Sequence, residues 1–144
     1  MQAPVPPPAV PFGLTRPRVE KGAYHTITTR QCAKIVKDLK KEHKVDIFAF
    51  EKPFDWRSVG CSDYPEIVKE PMDFETITSK LSGLPGYSVE NFVEDVRLIW
   101  YDCKLYNKPE AATYQQGVRV SQSFEDKLAQ LVASGSGAAA AASG

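Results

Sequence analysis

Apolar residues recur with the period of an α-helix in four separate stretches of the chain. These stretches cover approximately residues 28–42, 74–81, 88–106 and 111–132. Suitable N-cap residues stand at the start of three of them, namely Thr28 or Thr29, Asp73 and Ser88. Because no stretch alternates convincingly in the manner of a strand, the pattern predicts an all-α domain, most simply an antiparallel four-helix bundle.

Between the first two helical stretches, residues 44–62 follow neither a helical nor a strand period. The apolar and aromatic side chains of this connection are Phe48, Phe50, Pro53, Phe54, Trp56 and Val59. An irregular connection of this length is uncommon in a compact domain and is often functional. We expect its side chains to pack on the domain or to line a groove.

The two ends of the chain differ in composition from its centre. Residues 1–22 are rich in proline, which favours extended conformations and cannot build a core. Residues 135–144 consist of serine, glycine and alanine, which is typical of a flexible low-complexity tail. We therefore predict a disordered linker over 1–22, a helical domain over 23–134 and a tail over 135–144. The sequence has neither a secretory signal nor a run of about 18 apolar residues, so we expect no membrane partner.

Charge and cysteine content narrow the possible functions. The formal net charge is zero, unlike that of a duplex-DNA binder, and we expect no direct contact with nucleic acid. Residues 45–75 carry eight acidic and three basic side chains, which suits a basic partner such as a lysine-rich peptide. The three cysteines and two histidines lack metal-ligand spacing, so we predict neither a metal nor a cofactor. An odd number of cysteines favours reduced thiols in an intracellular protein.

The sequence offers no arrangement of residues for catalysis. His25 and His43 flank the first helical stretch, where we expect them to be solvated surface residues. Cys61 and Cys103 are expected to pack rather than to act as nucleophiles. The phosphate-binding, zinc-protease and nucleophile-elbow motifs are all missing from the sequence. We therefore predict that this chain is not an enzyme.

The helix that ends at Tyr106 is followed directly by a single amide side chain, Asn107, and then by a loop that contains Pro109. Such an asparagine is usually a C-cap, but ligand sites in bundles also form where the inter-helix loops meet. If the 44–62 connection folds over that end, it encloses an apolar pocket with one amide at its base. The walls would be Pro53, Phe54, Val59, Cys61, Tyr64 and Tyr106. Such a pocket suits a neutral, slim ligand that ends in a carbonyl.

Three segments resemble the bromodomain family in order and spacing: FEKPFDW at 50–56, DYPEIVKEPMDFETI at 63–77 and YSVENFVEDVRLIWYDCKLYN at 87–107. The resemblance covers about residues 28–132. It implies a left-handed antiparallel four-helix bundle with a long ZA-type loop, and with a short BC-type loop at 107–112. It also implies recognition of acetyl-lysine, chiefly on histone tails.

The resemblance implies a role for individual pocket residues. Asn107 matches the amide that donates a hydrogen bond to the acetyl carbonyl, and Tyr64 matches the tyrosine that holds this carbonyl through a water. Thr113 lies at the gatekeeper position, with Tyr114 as the alternative if the loop shifts by one residue. The other matches are Pro53, Phe54, Val59 and Cys61 in the channel wall, and Phe48 and Phe50 in the aromatic shelf.

The sequence departs from the family pattern at positions that bear on the ligand. Phe54 stands where valine is usual and should narrow the pocket, and Asp102 stands where asparagine is common. Retention of Asn107 and Tyr64 favours an acetyl-lysine reader, expected as a monomeric module of a nuclear, chromatin-associated protein. One alternative is a bromodomain-like interaction scaffold whose pocket is blocked by Phe54. Another is a non-catalytic fragment of a larger acetyltransferase or remodeller.

Overall fold

The structure, a computed structural model, describes the backbone of residues 10–143 and the side chains of residues 10–135. Within these residues there is no strand, and one short 3-10 helix spans Phe48–Phe50. The α-helices are α1 (Thr29–Glu42), α2 (Tyr64–Ile67), α3 (Phe74–Gly83), α4 (Val89–Tyr106) and α5 (Ala112–Ser143). The four longer helices form the bundle, so the predicted all-α fold is confirmed.

Side-chain caps start three helices where the sequence predicts them. On α1, the Thr28 hydroxyl accepts from the backbone N–H of Gln31 at 3.2 Å, and the Gln31 side chain accepts from the Thr28 N–H at 2.9 Å. Asp73 accepts from the N–H of Thr76 at 2.8 Å at the start of α3. Ser88 caps α4 in the same way at 3.0 Å. Each cap satisfies a donor that the first turn of a helix leaves unpaired, which fixes where the helix begins.

Helix α4 is the centre of the bundle and packs against α1, α3 and α5. Its Phe92 packs edge-on against Phe124 of α5, with 6.0 Å between ring centres. Nearer its end, Trp100 packs against Phe74 of α3 at 5.8 Å. All four rings are buried. Because close-packed contacts of this kind leave little freedom, the core fixes the position at which α4 ends.

The long connection between α1 and α2 is anchored by two apolar side chains. Ile47 is completely buried, and Phe50 packs edge-on against Trp100 at 5.3 Å. Gly117 of α5 allows this arrangement, because a Cβ there would lie 3.3 Å from Phe50 Cζ and 3.1 Å from Cys103 Sγ. The close approach of α5 thus holds the connection over the end of the bundle.

Part of the N-terminal segment lies against the bundle. The Arg16 guanidinium donates to Glu70 at 2.7 Å and to Glu94 of α4 at 3.2 Å. The Val19 N–H also donates to Glu94, at 3.0 Å. The second half of the predicted linker therefore packs on α4, whereas its first nine residues lie outside the described part of the chain.

Helix α5 continues to Ser143, beyond the predicted end at Val132. The added residues include five consecutive alanines. Alanine is the best helix former, and extending an existing helix requires no new nucleus, so the prediction of an end at Val132 was wrong. The boundaries of the predicted linker and tail stay predictions. No helix in the described range is long and apolar enough to cross a membrane.

Candidate ligand-binding site

The connection between α1 and α2 covers a cavity of about 220 Å³ at the end of α4. The predicted binding residues that line this cavity are Phe54, Cys61, Tyr64, Tyr106, Asn107 and Thr113. Thr113 belongs to the wall, and the alternative gatekeeper Tyr114 does not. Side chains that are far apart in the sequence therefore meet at one cavity, although the role of each in binding stays a prediction.

Three other predicted residues lie elsewhere. Pro53 and Val59 are exposed and do not belong to the cavity wall. The two predicted shelf residues are separated, because Phe50 is 7% exposed and lines the cavity whereas Phe48 is 76% exposed. Residues two apart in a 3-10 helix point in different directions, which explains why both cannot face the same space.

Asn107 is held at the point where α4 stops. Its backbone N–H donates to the Cys103 carbonyl at 2.9 Å, and its side-chain Nδ2 donates to the same carbonyl at 3.0 Å. The other contact of Nδ2 is Cys103 Sγ at 3.8 Å, a weak acceptor. Because the amide carries two N–H donors, one can be offered to a ligand in the cavity. The predicted C-cap and the predicted ligand contact are therefore compatible.

Three aromatic rings form one wall of the cavity. Tyr64 packs edge-on against Phe54 and Tyr106, with ring centres 4.8 and 5.0 Å apart. The Tyr106 hydroxyl donates to Asp63 at 2.7 Å, which fixes the orientation of its ring. Burial, followed by the nearby carboxyl of Asp102, raises the pKa of Tyr64 to about 12. The Tyr64 hydroxyl thus stays protonated at neutral pH and can donate a hydrogen bond.

The cavity also contains an acid that is not among the residues predicted to bind the ligand. Asp102 is 5% exposed, and its Oδ2 has no hydrogen-bond partner among the described residues. Burial, and then the Glu70 carboxylate, raises the pKa of Asp102 to about 8, against a smaller lowering by Arg16. A signal was present in the sequence, because Asp102 follows Ile99 by three positions and precedes Tyr106 by four. It therefore lies on the apolar stripe of α4.

The buried thiols are not activated for chemistry. Burial raises the pKa of Cys103 to about 11 and that of Cys32 to about 12, so both stay protonated at neutral pH. Cys103 Sγ donates to the Thr113 carbonyl at 3.5 Å, which is a packing role. His25 and His43 do not line the cavity. Across residues 10–135, no group of three or more His, Cys, Asp or Glu side chains is arranged to hold a metal ion.

A helical bundle whose loops enclose an apolar cavity with one amide donor is the architecture of acetyl-lysine recognition modules. The chain belongs to the bromodomain family, because the Bromodomain family model matches residues 32–119. It is also similar to the SWR1 complex bromodomain subunit bdf1 of Schizosaccharomyces pombe, with 33% identity over 99 residues. The aligned part covers 68% of this chain and 17% of that protein. The family resemblance is thus confirmed.

Proposed function

We propose that this cavity binds the side chain of acetyl-lysine, with Asn107 donating a hydrogen bond to the acetyl carbonyl. Tyr64 holds the same carbonyl through a water, Phe54 and Tyr106 pack on the methylene chain, and Thr113 stands at the entrance. The observation that carries the proposal is the position of the Asn107 amide. It lies in an apolar cavity of about 220 Å³ and has a donor to offer.

Rejection of unmodified lysine accounts for most of the selectivity. Acetylation removes the lysine charge and leaves an amide with one strong acceptor. An ammonium group in this cavity would lose its hydration and face the amide donor of Asn107, and desolvating an ion costs several kcal/mol. Asp102 does not offset this cost with a full negative charge, because its pKa of about 8 leaves it largely protonated at neutral pH. An acetamide loses far less hydration and gains a hydrogen bond worth about 1 kcal/mol net.

Calorimetric titration with matched acetylated and unmodified histone-tail peptides tests the proposal. We expect the unmodified peptide to bind at least about 30-fold more weakly, which corresponds to about 2 kcal/mol. A peptide in which glutamine replaces acetyl-lysine is the control, since it is neutral but too short to reach Asn107. Equal affinity for acetylated and unmodified peptides would refute the assignment.

A blocked scaffold is the second candidate, because Phe54 is larger than the usual valine. The cavity beside Phe54 argues against blockage, since it keeps about 220 Å³. The Phe54 ring is also 40% exposed, which fits a place at the rim rather than in the depth of the cavity. These observations support a competent reader with a narrowed entrance.

The Phe54 ring also packs on Tyr64, with ring centres 4.8 Å apart, so replacing it with valine should widen the cavity beside the acyl group and favour longer acyl groups. We expect the ratio of butyryl-lysine to acetyl-lysine affinity to rise by about fivefold, because burying one of the two methylenes that butyryl adds gains about 1 kcal/mol. Fluorescence anisotropy with labelled acyl-peptides measures this ratio. Val45→Ala, a change at a residue that is 77% exposed, should leave it unaltered. An unchanged ratio in Phe54→Val would show that this ring does not limit the pocket.

We also propose that the ligand is a histone tail and that the module acts in the nucleus, without catalysis of its own, as a monomeric part of a larger protein or complex. The relative bdf1 is by its name a subunit of the SWR1 complex, which supports a chromatin setting. Asp55, Asp63 and Glu66 carry exposed carboxylates, and Asp63 accepts a hydrogen bond from the cavity residue Tyr106, which suits a basic tail.

A further inference from the structure

A second cleft, of about 370 Å³, adjoins the acetyl-lysine cavity. Tyr106 and Asn107 line both spaces. One wall of the cleft is the segment Pro11–Leu14, which we call the N-terminal turn. The opposite wall consists of the end of α4, the loop that follows it and Tyr114 of α5. A polypeptide whose acetyl-lysine reaches Asn107 can therefore extend into this cleft.

The N-terminal turn is a defined structure. The Leu14 N–H donates to the Pro11 carbonyl at 3.1 Å, and Gly13 has a φ of 81°. These are features of a type II turn, in which the third residue must be glycine or asparagine. Two residues further on, Arg16 forms the ion pairs described above with Glu70 and with Glu94 of α4. The turn is thus anchored beside the BC-type loop.

The cleft combines exposed apolar groups with positive charge. Phe12, at the tip of the turn, has a fully exposed ring, and Val10 is 51% exposed. Across the cleft, the Lys104 ammonium lies 5.9 Å from the ring centre of Tyr114, and Lys108 is exposed nearby. Apolar groups exposed beside a binding site are typical of contact surfaces. The two lysines disfavour a cationic side chain in the same space.

We propose that the cleft binds the residues that flank acetyl-lysine in the same polypeptide, and that it selects a neutral, apolar side chain against Phe12. The inference rests on the proposed acetyl-lysine site, with which the cleft is continuous through Tyr106 and Asn107. Asp63, which accepts a hydrogen bond from Tyr106, and the exposed Asp55 can pair with basic residues elsewhere in the same polypeptide.

The test compares a ligand without flanks to peptides with different flanks. The ligand without flanks is a single lysine that is acetylated on its side chain and has its backbone amino and carboxyl groups blocked. It can occupy the cavity but has no residues to place in the cleft. Acetylated peptides carrying leucine or lysine at each position within four residues of the acetyl-lysine probe the cleft. On one side of the acetyl-lysine, we expect leucine to bind about five- to tenfold more tightly than lysine. Phe12→Ala should remove most of this preference and change affinity for the blocked acetyl-lysine by less than about twofold.

Two further variants separate the contributions. Lys104→Glu should reverse the penalty on a lysine flank, since it replaces repulsion by attraction. Leu84→Ala removes a half-exposed apolar side chain from the connection between α3 and α4, and it should leave every affinity unchanged. If blocked acetyl-lysine binds but Phe12→Ala keeps the full preference for leucine, the cleft is not a peptide subsite. The inference about the cleft then fails, while the proposed acetyl-lysine site stands. If blocked acetyl-lysine does not bind at all, the proposed function fails as well.

Discussion

Replacing Asn107 with alanine is expected to weaken the binding of an acetylated peptide by about 10- to 100-fold. The acetyl carbonyl then lies desolvated and unpaired in an apolar cavity, which costs about 1–3 kcal/mol. Each 1.4 kcal/mol is a factor of ten in affinity. The unmodified peptide gains nothing from this amide, so its weak binding should not change.

The structural role of Asn107 must be separated from its role in binding. Its Nδ2 also donates to the Cys103 carbonyl, so the alanine variant loses a helix-end contact. Thermal unfolding of each variant identifies a temperature at which all are folded, and titrations are made there. Asn107→Asp keeps the shape but replaces the donor with an acceptor, so it should bind as weakly as Asn107→Ala. Asn91→Ala, the same change at the exposed start of α4, is the control. Retained affinity in both Asn107 variants would assign the acetyl contact to another residue.

The bundle could be predicted from the sequence because its determinants are local. Helical periodicity and the caps at Thr28, Asp73 and Ser88 depend on residues within one turn of each other, and all three caps are found. The packing of the N-terminal segment could not be predicted in this way. Arg16 meets Glu94, 78 positions away, and no local pattern encodes that contact.

The position of a site residue could be predicted where it follows from a local motif. It could not be predicted where it depends on the fold of an irregular loop. Asn107 follows directly from the end of a periodic helix. Within the long connection no period tells which side chains turn inward, so the assignments of Val59 to the channel wall and of Phe48 to the shelf rest on the family resemblance alone. Both side chains are exposed, and their roles stay predictions. Ile47, which anchors that connection, was missed for the same reason, since its complete burial comes from tertiary packing.

Asp102→Asn is expected to stabilise the protein at neutral and alkaline pH and to leave it nearly unchanged near pH 4. The pKa of Asp102 rises from its ordinary value of 3.8 to about 8 on folding. Between these pH values the folded protein holds a proton that the unfolded chain has released. The free energy of unfolding therefore falls as pH rises through this window, by roughly 1 kcal/mol per pH unit, and levels off above it. The amide of the variant has the same shape as the carboxyl and never ionises, so the variant does not lose this part of its free energy of unfolding as pH rises.

Urea unfolding of the wild type and of Asp102→Asn from pH 4 to pH 9 measures the difference. Subtracting the two profiles cancels the other titrating groups, and the gap should widen with pH to roughly 4 kcal/mol at pH 8. Asp126→Asn, at an exposed carboxyl of α5, controls for the loss of one negative charge and should produce no such widening. Because the neutral acid and the amide place similar polar atoms in the cavity, the gap isolates the cost of ionising a buried carboxyl. Parallel profiles would instead mean that Asp102 is ionised in the folded protein, with water reaching its Oδ2.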